Sequence, residues 1–172
     1  MHLNVEIKAR CADPGRIRNL LKSWDADYRG LDLQTDTYFK VNRGRMKLRE
    51  GNIENNLIYY ERNNQEGPKQ SSFNLLKIDD ASTLKKVFAA AIGVLVVVQK
   101  QREIYYLDNV KFHLDSVDGL GSFLEIEAGN LLAPLLNKAK LEAQCAHYMR
   151  EFALRTNDLI DRSYSDMLLE KT

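Results

Sequence analysis

Charged residues recur at two-residue spacing along several segments of this chain. Lys47 and Arg49 flank Leu48, and Lys100 and Arg102 flank Gln101. Glu6, Lys8 and Arg10 alternate with Ile7 and Ala9, His113 and Asp115 flank Leu114, and Glu125 and Glu127 flank Ile126. In an extended strand, residues i and i+2 share a face about 7 Å apart, so each set aims its charges into one space. Rows of Lys and Arg neutralise phosphate oxygens. A Glu-x-Glu pair, with a further acid, supplies the hard oxygen ligands that Mg2+ or Mn2+ takes. The two together suit a metal-bound polyphosphate, in which the metal bridges acids and phosphate oxygens while the bases hold the remaining charge.

A plainer reading is available for any one pair: the wet face of an antiparallel sheet. Two features weigh against it for the whole set. Solvated faces usually mix charge signs with Ser, Thr and Gln, whereas several of these strands repeat a single sign. The opposite face of the same strands is apolar and suits packing against helices. If the helices lie outside a curled sheet, the charged faces point inward. Such an interior is unstable unless it is wet or filled.

The elements that would position these residues are mostly strands. Leu3 to Arg10 alternates cleanly, and Asp13-Pro14 opens a helix reaching about Trp24 with Ile17, Leu20 and Leu21 on its stripe. Strands are expected over 34–41, 45–50, 57–62, 72–78, 96–107, 110–117 and 122–128, with a helix from Ser82 to Gly93, helical pattern over 131–154, and a short helix within 159–171. That makes about eight strands and three or four helices in one domain, 1–172. Sequential strands joined by short turns favour an antiparallel sheet closed or nearly closed on itself. The expected class is α+β: an eight-stranded antiparallel barrel with helices packed outside.

Composition narrows the partners. The chain has 172 residues with 25 basic and 24 acidic side chains, a net charge of +1. That balance lacks the basic excess of a general nucleic-acid binder. The apolar run over 87–98 is too short for a membrane span and is broken by Gly93. Cys11 and Cys145 show no metal-ligand spacing. The expectation is a cytoplasmic protein that engages neither nucleic acid nor membrane.

The ordered motifs resemble the CYTH superfamily of class IV adenylate cyclases, thiamine triphosphatases and inorganic triphosphatases. Asn4-Val5-Glu6-Ile7-Lys8 is similar to that family's opening Glu-x-Glu-x-Lys. Gln34-Thr35-Asp36-Thr37-Tyr38-Phe39, Lys47-Leu48-Arg49-Glu50, Lys100-Gln101-Arg102 and His113-Leu114-Asp115 follow in order. The most specific stretch is Gly119-Leu120-Gly121-Ser122-Phe123-Leu124-Glu125-Ile126-Glu127, and Ser163 to Leu169 is similar as well. The resemblance implies a triphosphate tunnel, with Mg2+ or Mn2+ on Glu6, Glu125 and Glu127 and Asp115 nearby. It implies triphosphate contacts from Lys8, Lys47, Arg49, Lys100 and Arg102, with Arg10 on the same face; at the fourth strand, where cyclase-like members carry a lysine, either Arg62 replaces that cation or it is missing. Glu6, Lys8 and Asp115 are the implied catalytic set. The partner is a triphosphate such as ATP, thiamine triphosphate or tripolyphosphate, and a homodimer is the assembly it allows. One departure stands out: Asn4 replaces the first acid of the opening motif.

Three functions compete. Hydrolysis attacks the terminal phosphorus with water. Cyclisation attacks the α-phosphorus of ATP with its own 3′-hydroxyl and releases pyrophosphate. A non-catalytic module would only bind. Hydrolysis needs no nucleoside pocket and ranks first. His113 reads as a hydrogen-bonded wall residue rather than a catalytic base.

Overall fold

The computed structural model describes residues 3–61, 69–70, 72–131 and 133–171. β1 (Asn4–Arg10) buries Val5, Ile7 and Ala9 on one face and turns Asn4, Glu6 and Lys8 to the other. The chain continues through α1 (Pro14–Ser23), β2 (Asp27–Phe39), β3 (Arg45–Glu50), β4 (Asn56–Glu61), β5 (Lys69–Gln70) and β6 (Ser72–Lys77). Then come α2 (Ala81–Ile92), β7 (Val94–Leu107), β8 (Val110–Val117), β9 (Gly121–Gly129), α3 (Lys138–Glu151) and α4 (Tyr164–Leu169).

Every strand pairing is antiparallel, in the order β5-β1-β9-β8-β7-β2-β3-β4-β6. β5 and β6 stand at opposite ends of this order, yet one position separates them in sequence. The sheet therefore curls until both its ends meet one short stretch of chain. Counting that stretch as one interrupted strand gives the eight strands expected. The seam is thin: β5 joins β1 through Val5↔Gln70 and Glu6↔Lys69 alone.

Helices cover the outside because the outward face is apolar. Ile7, Phe112, Leu124 and Ile126 pack with Ile17 and Leu21 of α1 and with Leu141, Cys145 and Phe152 of and after α3. Asp13 caps α1 by accepting from Arg16 N at 2.9 Å, and Asn137 caps α3 in the same way. Gly93 ends α2 at φ +80°, a left-handed backbone that favours glycine. Cys11 and Cys145 are both buried free thiols.

A second apolar cluster closes one end of the curl. Tyr38, Tyr60, Val98, Val117, Leu120 and Phe123 meet Tyr164 there, with Met167 and Leu168 of α4 packed against them. Arg45 holds α4 through Asp166 at 2.7 Å, and Tyr164 Oη donates to Asp115 at 2.8 Å. The cluster thus lays a floor across one end, while α4 packs outside the sheet like the other helices, as sequence patterning expects. No helix among the described residues is long and apolar enough to cross a membrane.

Two boundaries differ most from the sequence reading. β2 begins at Asp27, not 34, because its first half inverts the usual pattern: Leu31 and Leu33 face solvent while Asp32 and Gln34 are buried. α3 begins at Lys138, not 131, where Asn137 supplies the cap.

Candidate functional site

The inward face of the sheet surrounds a cavity of about 640 Å3. Register explains which residues reach it. Lys8 lies opposite Glu125, Glu6 opposite Glu127, Tyr38 opposite Lys47, and Glu127 opposite Lys111. Lys8, Lys47, Arg49, Lys100 and Arg102 all line the cavity, as do Glu6, Glu125 and Glu127. The sequence reading expected Asp115 on the cavity together with these eight; the eight line it and Asp115 does not.

Two expected site residues stand elsewhere, and a third is not among the described residues. Arg10 is exposed; it rests over the Phe123 ring and is not among the cavity-lining side chains. It lies one step past the floor because Arg10 pairs with Phe123, a residue of the closing cluster. Asp115 has no exposed side-chain surface and lies behind the wall, where Arg102 and Tyr164 Oη both donate to it. Its placement suits holding Arg102 rather than meeting a substrate or metal. Arg62 lies outside the described residues.

The cations are held by carboxylates set behind them. Asp36, 1% exposed, accepts from Arg49 Nε at 2.8 Å and Arg49 Nη2 at 2.9 Å, from Lys47 Nζ at 3.0 Å and from Lys100 Nζ at 2.7 Å. Burial alone would raise its carboxyl; Arg49, Lys100 and Lys47 outweigh burial and hold it well below the usual range. Lys100 shows the reverse balance. Burial pushes its ammonium down to about 7 against the pull of Asp36, with repulsion from Arg49, Arg102 and Lys47 adding to burial. Arg102 donates through Nε to Asp115 at 2.7 Å and through Nη2 to Glu125 at 2.8 Å. Lys8 Nζ lies 3.1 Å from Glu125 and 3.8 Å from the centre of the Tyr164 ring.

The acids differ in how well they are neutralised. Burial would raise Glu125, but Arg102 and Lys8 hold it well down. Glu127 is raised: burial leads, Lys111 opposes it, and Glu6 and Glu125 add repulsion. A hydrogen bond from Asn4 lowers it somewhat. The amide at position 4 therefore donates to a carboxylate where an acid would repel it. Among the described residues no three His, Cys, Asp or Glu side chains already converge at metal-binding geometry. The crowded acids Glu6 and Glu127 nonetheless suit a divalent cation, which relieves carboxylate repulsion.

Sequence reasoning missed three groups. Lys111 lines the cavity and donates to Glu54 at 2.8 Å. It shares parity with His113 and Asp115 on β8, so the i, i+2 rule that picked those two also reaches it. Glu54 sits in the β3–β4 loop and also accepts from Arg49 Nη1 at 2.8 Å, joining β3 to β8 across the cavity. The loop is fastened by Asp32, which accepts from Ile53 N at 2.9 Å and Glu54 N at 3.0 Å. A Cβ at Gly51 would meet Asp32 Oδ1 at 2.5 Å, so the loop needs glycine there. Nothing local in sequence signals this loop. Asp36 lies in a recognised motif, but its partners are distant in sequence.

A curled antiparallel sheet with inward Lys, Arg and Glu defines a triphosphate-tunnel protein, and the chain belongs to the CYTH domain family, whose match spans residues 2–164. A Methanocaldococcus jannaschii protein provisionally named an adenylate cyclase is 24% identical over 96% of this chain and 98% of its own length. Among solved structures, a protein of Pyrococcus horikoshii OT3 superposes with a TM-score of 0.81 at 23% identity, over 95% of this chain and 98% of that one. A Hippeastrum protein, described as an adenylyl cyclase candidate with a dominant triphosphatase activity, superposes with a TM-score of 0.66 at 13% identity, covering 99% and 95%. At these identities the two structures speak to the fold.

Proposed function

We propose that this chain is a divalent-metal-dependent enzyme that hydrolyses a triphosphate compound inside the cavity. The observation that carries this reading is the convergence of Lys8, Lys47, Arg49, Lys100 and Arg102 on one cavity beside Glu6, Glu125 and Glu127. Five cations in one wall repel one another, and Asp36, Asp115, Glu125 and Glu54 offset that repulsion from behind or beside. A metal-bound polyphosphate would bring negative charge to the cations and positive charge to the acids Glu6 and Glu127.

The cations keep donors for it. A guanidinium carries five N–H groups and an ammonium three. The carboxylate contacts of Arg49 use three of its five: Nε and one each of Nη1 and Nη2. The remainder can serve phosphate oxygens without dissolving the network. Positioned this way, the cations stabilise charge that builds on the leaving phosphates as the P–O bond breaks. Glu6 and Glu127, with Glu125, would hold the metal, and Asn4 would hold Glu127 in place. The metal would polarise a phosphoryl oxygen and lower the pKa of bound water.

One observation favours a second reading, cyclisation of ATP. The cavity lining also includes Leu3, Tyr106, Asn109 and Leu131. Apolar and amide groups there offer contacts that a bare tripolyphosphate does not use and a nucleoside does. A panel of tripolyphosphate, thiamine triphosphate, ATP and GTP, each with Mg2+ and Mn2+ and with products identified, separates the readings. Orthophosphate release supports hydrolysis, and cyclic AMP with pyrophosphate supports cyclisation. Binding without any product would leave a sensor and overturn both.

A further inference from the structure

Glu54 is an acid set among the cations of the cavity. Its Oε2 lies 2.8 Å from Arg49 Nη1 on β3, and its Oε1 lies 2.8 Å from Lys111 Nζ on β8. One carboxylate thus bridges two cations, one oxygen to each, and all three groups line the cavity. Burial would raise this acid, but Lys111 and Arg49 outweigh burial and hold it far below the usual carboxylate range. The Glu54 side chain keeps 20% of its surface exposed and the Lys111 side chain 18%, so a solute in the cavity can touch both.

The carboxylate is held in place and cannot swing aside with its loop. Asp32, with no exposed surface, accepts from Ile53 N and Glu54 N. Asn52 accepts from Leu33 N at 2.6 Å and donates to Leu31 O at 3.0 Å. Asn55 donates to Gly51 O at 2.9 Å, and buried Gln34 donates to Glu54 Oε2 at 3.2 Å. A short loop fastened at each of residues 52–55 does not serve as a lid. It presents one negative charge at a set place.

A phosphoryl group, like a carboxylate, offers two oxygens to two donors. Glu54 therefore fills the place in which a phosphate would bridge Arg49 and Lys111. Phosphates held by Lys8, Lys47, Arg49, Lys100 and Arg102 meet a fixed like charge beside Arg49, and Lys111, beyond those five, is already taken up. Placing a like charge against the wrong ligand is a general means of rejecting it. We propose that Glu54 is a specificity residue: a fixed anion that ends the cation row at Arg49 and excludes a fourth phosphate. The substrate class is then a chain of three phosphates and not a longer polyphosphate. This rests on the triphosphate reading above and deepens it, because the cations alone set no upper length.

The test is calorimetric titration of the whole chain with tripolyphosphate and with tetrapolyphosphate, without metal and at fixed ionic strength. The parent should bind tripolyphosphate the more tightly of the two. Glu54→Gln is nearly isosteric, keeps an oxygen for Arg49 and removes the charge. It should tighten both chains, and tetrapolyphosphate by about tenfold more than tripolyphosphate, the low end for one hydrogen bond to a charged group. Adding Lys111→Met to Glu54→Gln should remove that extra gain and leave most of the gain for tripolyphosphate. A carboxylate that only braces β3 against β8 predicts instead that Glu54→Gln binds both chains more weakly and in equal measure. That result, an unchanged preference between the chains, or an extra gain that survives Lys111→Met would each overturn the inference. So would a parent that prefers tetrapolyphosphate, a measurement that needs no variant to fold. A parent that binds neither chain sinks the triphosphate reading itself, and this inference with it.

Discussion

Asp36 and Arg49 face each other across the β2–β3 pairing and share two hydrogen bonds, at 2.8 and 2.9 Å. Both side chains are almost fully buried, and the same carboxylate holds Lys47 and Lys100. One acid thus fans three cations toward a common point. A lysine or arginine unsupported in so buried a wall would turn toward water, so the arrangement of the site depends on a residue that is not among those lining the cavity.

Replacing that acid should therefore cost stability before it costs chemistry. Asp36→Asn takes the counter-charge from Lys47 and Lys100 and leaves Arg49 with Glu54 alone, and breaking a buried ion pair costs about 3–5 kcal/mol. Urea unfolding should show a loss of that order, partly restored by saturating tripolyphosphate, which replaces the missing negative charge. An unchanged midpoint would mean that the network contributes nothing net.

Arg49→Ala should weaken triphosphate binding by about 1.5–3 kcal/mol, the range for hydrogen bonds to charged groups. Calorimetry at fixed ionic strength reads this directly. Stability should fall too, because Asp36 and Glu54 both lose a donor. Affinity equal to the parent removes Arg49 from the site.

Glu127→Gln is nearly isosteric and neutral. It should abolish metal-dependent turnover while the protein stays folded, and metal-free binding of tripolyphosphate should persist or tighten because a negative charge is gone. A metal titration of the initial rate decides. Turnover at the parent rate across that titration would show that Glu127 neither holds the metal nor serves the chemistry.

The neutral burial of His113 carries a pH signature in metal-free, ligand-free protein. Its folded pKa of about 4 lies below the ordinary 6.5. The unfolded chain therefore binds the extra proton first, and stability falls as the solution is acidified. The contribution is whole above about pH 6.5 and is lost progressively toward pH 4, for a total of about 3 kcal/mol. Unfolding free energies at half-unit steps should show this slope in the parent and lack it in His113→Gln. Parallel curves would argue that the ring titrates normally.

Much of the site was legible because strand parity is simple. Lys47 with Arg49, Lys100 with Arg102, and Glu125 with Glu127 face one cavity for the reason their spacing implies. Parity assigns a face, however, and not a depth along the axis. Arg10 shares the face of Lys8 yet falls beyond the floor, and Asp115 shares the face of His113 yet is sealed behind Arg102. Depth depends on where the apolar cluster crosses the end, which is set by the distant contacts Arg45–Asp166 and Tyr164–Asp115. The early half of β2 escaped for another reason. A barrel that is polar inside reverses the rule that apolar residues point inward, and Leu31 and Leu33 sit on the wet side.

Tyr164 belongs both to the second apolar cluster and to the cavity lining. Its ring centre lies 3.8 Å from Lys8 Nζ, and its hydroxyl donates to Asp115, the acid that holds Arg102. The tail is therefore a keystone of the wall. Trimming the chain before Tyr164 would disarm the cavity from the far end of the sequence, since Lys8 would lose its aromatic neighbour and Asp115 a donor.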